Sequence, residues 1–101
     1  MDLKGFVYLM KPKGIEGIYK IGETINPEKR LARKQKEKDY IVEYVKCVEV
    51  DREYMGIIEN YLHKAHKRYH VGADYFILSS EFVEKFEKVV HNLERSIKDP
   101  L

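Results

Sequence analysis

Several side chains in this 101-residue chain are of types that handle phosphates or metals. Lys20 stands in the middle of GIYKIGET (residues 17–24), a short half-apolar stretch in which a strand that only packs gains nothing from an ammonium. Residues 29–38, KRLARKQKEK, hold six Lys or Arg and one Glu. Such a run is either a solvated helix face or a patch that tracks phosphates. Glu59 and His63 are four residues apart, as are His66 and His70, so one helix edge would carry a carboxylate and three histidines. A carboxylate bordering an apolar stripe needs a cation, a metal or several hydrogen bonds. Three readings follow: an ion pair with a nearby Lys or Arg, a transition-metal site shared with the histidines, or a Mg²⁺ ligand completed by water and substrate phosphate.

The elements that must position these groups can be read from pattern. Gly5–Lys11 is β-branched and aromatic, apolar on both faces, and predicts a strand covered on both sides. Pro12–Glu16 predicts a turn and Gly17–Glu23 the return strand. With the turn centred on Gly14, Tyr8 falls opposite Lys20, both on one face, with Gly22 leaving space beside them. Asn26-Pro27 opens a helix to about Lys38. Tyr40–Val50 predicts a third strand. Asp51 is placed to cap a second helix reaching Tyr69, with Met55, Ile58, Tyr61, Leu62, Ala65 and Tyr69 as its core stripe. Val71-Gly72 breaks that helix, and Asp74–Leu78 is a short extended piece. Ser79 or Ser80 caps a last helix to about Ile97, buried through Phe82, Phe86, Val89, Val90 and Leu93. The fold class expected is α+β: a small, about three-stranded antiparallel sheet flanked by helices, order ββαβα, then the extended piece and a C-terminal helix.

Length predicts one domain, residues 1–101, with a core large enough to fold without staples. The lone Cys47 forms no internal disulfide and no cysteine-based zinc site, which points to a reducing compartment. No apolar run approaches a membrane span, and the N-terminal apolar stretch is too short for a signal peptide. The expectation is an intracellular, non-secreted protein, cytoplasmic or in a host-cell compartment, with no membrane partner. Net charge is only +2, so the distribution of charge carries the information.

The strand FVYLM, the strand YKIGET, the helix opening NPEKRLA, and ENYLH followed by DYFIL stand in an order that resembles the GIY-YIG nuclease superfamily, in particular its small phage- and DNA-virus-associated branch. The resemblance covers roughly residues 5–90. The literal GIY at Gly17–Tyr19 is not the family's first motif, which belongs on the first strand at Phe6-Val7-Tyr8. The second motif falls on Lys20-Ile21-Gly22, so that Lys20 takes the place of the motif's tyrosine. By the same resemblance the helix arginine is Arg30 and the metal-binding glutamate is Glu59. The family's later asparagine has no match, and Asp74 lies near its place. Lys34, one turn beyond Arg30, occupies a position that is often functional in the family.

The resemblance implies hydrolysis of DNA phosphodiester bonds around one Mg²⁺ or Mn²⁺ held by Glu59. Arg30 would donate to the non-bridging oxygens, and Tyr8 would act as general base or orient the water. Lys20 would be the cation that favours its phenolate. Arg33, Lys34 and His63 are the expected substrate contacts. Tyr19, on the opposite strand face, is expected in the core. All four catalytic positions are expected to converge on one pocket, in a monomer or homodimer. The alternative is a nucleic-acid-binding module that keeps the fold and the basic helix without turnover. A weaker option is a structural metal domain built on His63, His66 and His70.

Overall fold

The computed structural model describes residues 3–99. The elements are β1 (Lys4–Pro12), β2 (Ile18–Thr24), α1 (Pro27–Lys36), β3 (Val42–Asp51), α2 (Arg52–Ala65), a 3-10 turn (Lys67–Tyr69), β4 (His70–Gly72), β5 (Tyr75–Ile77) and α3 (Ser80–Lys98). Among the described residues this is an α+β fold: one antiparallel sheet in the order β3-β1-β2-β5-β4, with three α-helices. The sheet has five strands where three were expected. The extended piece became β5, and His70–Gly72 joins it as the edge strand β4. Among the described residues no helix is long and apolar enough to cross a membrane.

Strand β1 lies second in the sheet and is buried on both faces, as its two-sided apolar pattern requires. Val7 and Leu9 join Tyr19, Ile21, Val48 and Val50 against Ile58 and Leu62 of α2 and Val83, Phe86 and Val90 of α3. Each such side chain contributes about 1.5–3 kcal/mol on burial. On the other face Tyr8, Met10 and Val42 form a smaller cluster with Leu31 of α1 and Tyr44 of β3. Tyr61 and Tyr69, expected in the core stripe, are about half exposed. Only Ile58 and Leu62 of α2 are fully buried, and the helix gives way to the 3-10 turn before Tyr69.

The hairpin register differs from expectation by two residues. Tyr8 pairs with Gly22, and Lys20 pairs with Met10. The reason lies in the connection: Gly14 and Gly17 both adopt positive φ (87° and 92°), so the turn spans Lys13–Gly17 and centres on Ile15. A two-residue shift preserves side-chain parity, so Tyr8 and Lys20 still leave the same face.

Helix α1 has no fully buried residue and is docked by half-buried Leu31 and by polar contacts. Asn26 Oδ1 accepts the Lys29 N–H at 3.1 Å, and Pro27 takes the first helical position. Tyr44 Oη donates to the Pro27 carbonyl at 2.8 Å. At the other end, Gln35 donates to the Tyr40 carbonyl and accepts the Val42 N–H, so the helix stops at Lys36 rather than Lys38. Ser79 caps α3 by accepting the Phe82 N–H. Asp51 occupies the N-cap position of α2, but its carboxylate pairs with Lys98 at 2.8 Å instead of capping.

Candidate active site

Tyr8 and Arg30 meet directly. Arg30 Nη1 donates to the Tyr8 phenolic oxygen at 3.2 Å. The ring end of Tyr8 lies over Gly22: a Cβ on Gly22 would stand 2.4 Å from both Cζ and Oη. Tyr44 packs edge-on against Tyr8, with ring centroids 5.2 Å apart. Tyr8 is completely buried under these neighbours. Burial pushes the Tyr44 phenol far above its ordinary range, and burial with the adjacent Tyr40 phenol pushes Tyr75 up to about 12. Both phenols are thus held in their protonated form more firmly than a free tyrosine.

Lys20 is nine-tenths buried, and its partner is not Tyr8. Its Nζ pairs with Asp74 Oδ2 at 2.8 Å, a contact 54 residues apart in the chain. That hydrogen bond, ahead of other influences, holds the Asp74 carboxyl below the usual carboxylate range. The expectation that Lys20 is the cation at Tyr8 is thus corrected: the cationic side chain that contacts the phenol is Arg30.

The third group lies at the edge of β2, where its pairing with β5 ends at Lys20. Beyond that point the Ile21 N–H reaches the Asp74 carbonyl, and the Ile21 carbonyl accepts from His63 Nε2 at 2.8 Å. Glu59, one turn before His63 on α2, is half-buried. Desolvation raises its pKa; of its charged neighbours, Glu23 and Asp74 raise it further, while His63 and Lys20 lower it. Among the described residues Glu59 has no hydrogen-bonding or ion-paired side-chain partner, so the simple ion-pair reading is not realised.

Glu23 was not anticipated. Its side chain lies against Gly56 of α2, where an added Cβ would stand 3.3 Å from Oε2, and that oxygen is buried without a hydrogen bond. The signal was present: Glu23 follows Ile21 by two on the same strand face, and Gly56 precedes Glu59 by three on the helix.

The sheet therefore divides the expected constellation. Tyr8 and Arg30 belong to the face covered by α1, whereas α2, which carries Glu59, covers the other. Among the described residues the edge of β2 has no β5 partner beyond Lys20, and Glu59 is near enough to His63, Glu23, Asp74 and Lys20 to feel their charges. Lys34 pairs with Glu37 and its charge reaches Asp74, while Arg33 turns away into an open groove on α1. The three histidines serve different backbone carbonyls: His63 that of Ile21, His66 that of Leu62, and His70 that of Ala73. Among the described residues no group of three metal-ligating side chains is assembled, so the histidine-metal reading finds no cluster.

No curated protein and no solved structure gives a significant match to the chain. The T5orf172 domain, a domain of phage-associated and homing-endonuclease-like proteins, matches residues 5–98. With nearly its whole length covered, the chain belongs to the T5orf172 domain family.

Proposed function

We propose that the protein is a metal-dependent endonuclease that hydrolyses DNA phosphodiester bonds at the free edge of β2, with a GIY-YIG-type division of labour. The observation that carries this reading is the Arg30–Tyr8 hydrogen bond at 3.2 Å, with the Tyr8 ring packed into the space that Gly22 leaves free of a side chain. A phosphate seated at that edge lies between Arg30 on one side and Glu59 on the other. Membership in the T5orf172 family supports a nuclease or DNA-binding role.

Arg30 leaves the phenol to donate to the non-bridging oxygens, a geometry its planar guanidinium fits. That movement uncovers Tyr8, which orients the attacking water and, as the phenolate, takes its proton. Lys20, held by Asp74, adds positive charge beside the edge. The carboxylates fit a divalent cation: Glu59 is desolvated and unpaired among the described residues, and the buried Glu23 oxygen beside it lacks a donor. Glu59 would hold one Mg²⁺ or Mn²⁺, which when bound supplies charge neutralisation at the phosphate and at the leaving oxygen.

Nicking of supercoiled plasmid tests the reading, with Mg²⁺, Mn²⁺ or EDTA, and with wild type beside Glu59→Ala and Arg30→Ala. Metal-dependent nicking abolished in both variants supports it. Salt-sensitive DNA binding without cleavage under either metal supports the non-catalytic binding module instead.

A further inference from the structure

The exposed side of α1 carries a feature that the hydrolytic chemistry does not use. Lys29, Arg33 and Lys36 fall within a narrow band of the helix surface, at i, i+4 and i+7. All three are exposed, and among the described residues none is ion-paired. Lys34 of the same helix, by contrast, is paired with Glu37. They line an open groove of about 500 Å³ with Arg30 and the Thr24–Asn26 connection, and its lining residues include no carboxylate. Ile25, half exposed, forms an apolar rim. Arg30 is shared: it lines the groove and also reaches Tyr8.

We infer that this groove guides one strand of a nucleic-acid backbone along α1, Lys29, Arg33 and Lys36 each taking a phosphate beside the one presented to Arg30. The inference deepens the nuclease reading and rests on it for the direction of the strand. The dimensions agree. Seven residues of α-helix rise about 10 Å, about three steps of 3.4 Å and so the reach of about four phosphates when α1 lies along the duplex axis. The partner is read through its regular backbone charge, so the groove confers affinity without sequence preference.

The test is fluorescence anisotropy with a duplex oligonucleotide in EDTA, over a series of NaCl concentrations. Each lost phosphate contact flattens the slope of log K against log salt by about 0.9. The triple variant Lys29→Ala/Arg33→Ala/Lys36→Ala is expected to flatten it by about 2–3 relative to wild type. All three side chains are exposed, and a circular-dichroism melt verifies folding. Lys85→Ala/Lys88→Ala, on the exposed side of α3, should leave the slope unchanged. An unchanged slope in the triple variant, equal flattening in the α3 variant, or competition by polyglutamate as strong as by DNA overturns the inference. The two readings fail separately. A protein that binds with this slope but never nicks plasmid keeps the groove and loses the nuclease. One that nicks while the triple variant keeps the wild-type slope does the reverse.

Discussion

Arg30 donates to the phenolic oxygen of Tyr8 at 3.2 Å, tying the basic helix to the central hairpin at a fully buried side chain. On the proposed mechanism an incoming phosphate competes with the phenol for the guanidinium. Tyr8→Phe removes the acceptor and the proton carrier while keeping the ring. Single-turnover nicking should fall by about 10²-fold or more. Affinity for DNA in EDTA should change by less than about threefold, because no phosphate contact is removed.

Gly22 is fixed by Tyr8. An added Cβ would stand 2.4 Å from two atoms of a rigid, buried ring. Gly22→Ala should destabilise the fold by about 1–3 kcal/mol, read from the urea midpoint, because neither strand nor ring has room to yield. Cleavage should fall along with it as the ring is displaced from Arg30.

The Lys20–Asp74 pair joins a buried ammonium to a carboxylate whose side chain is 54% exposed. Asp74→Asn leaves Lys20 without a counter-ion. The cost should be about 1–2 kcal/mol, below that of a fully buried pair because water screens Asp74. The folded-state pKa of Asp74 is depressed. Its contribution is therefore fully present above the unfolded value of about 3.9 and disappears as pH falls through the lower folded value. Urea unfolding of wild type and variant should differ at pH 7 and converge in strong acid.

Glu59 has the opposite sign. Burial raises its pKa, so the ionised form is disfavoured in the folded state at neutral pH. Glu59→Gln should raise Tm at pH 7 in EDTA by about 1–4 °C. The gain should shrink as pH falls through the folded pKa and the wild-type carboxyl takes up its proton. A stabilising change that abolishes activity would mark a residue kept for chemistry.

Much of this architecture is legible in local chemistry. Asn26-Pro27, Ser79 and the two-sided apolar β1 announce their elements because capping and burial are local or periodic signals. The three-residue strands β4 and β5 are too short for any period to show, so sequence pattern alone predicts three strands. The register slipped because two glycines, not one, take positive φ in the hairpin turn. The exposed Tyr61 and Tyr69 show that an apolar stripe drawn at 100° per residue is wider than the face α2 buries. At the site, the resemblance names Tyr8 and Arg30, but their direct contact was not expected, because the sequence pattern pairs Tyr8 with Lys20. The partner of Lys20 arrives from 54 residues away, and no spacing rule predicts it.

The central claim is that Tyr8, whose side chain lies on the face covered by α1, and Glu59, on the helix that covers the other face, act on one phosphate across the edge of β2. Single-turnover nicking rates of Tyr8→Phe, Glu59→Gln and the double variant measure this directly. If the two groups work as a unit, the double variant is no slower than the worse single variant by more than about tenfold. Losses that multiply, or a Glu59→Gln rate equal to wild type, would contradict it.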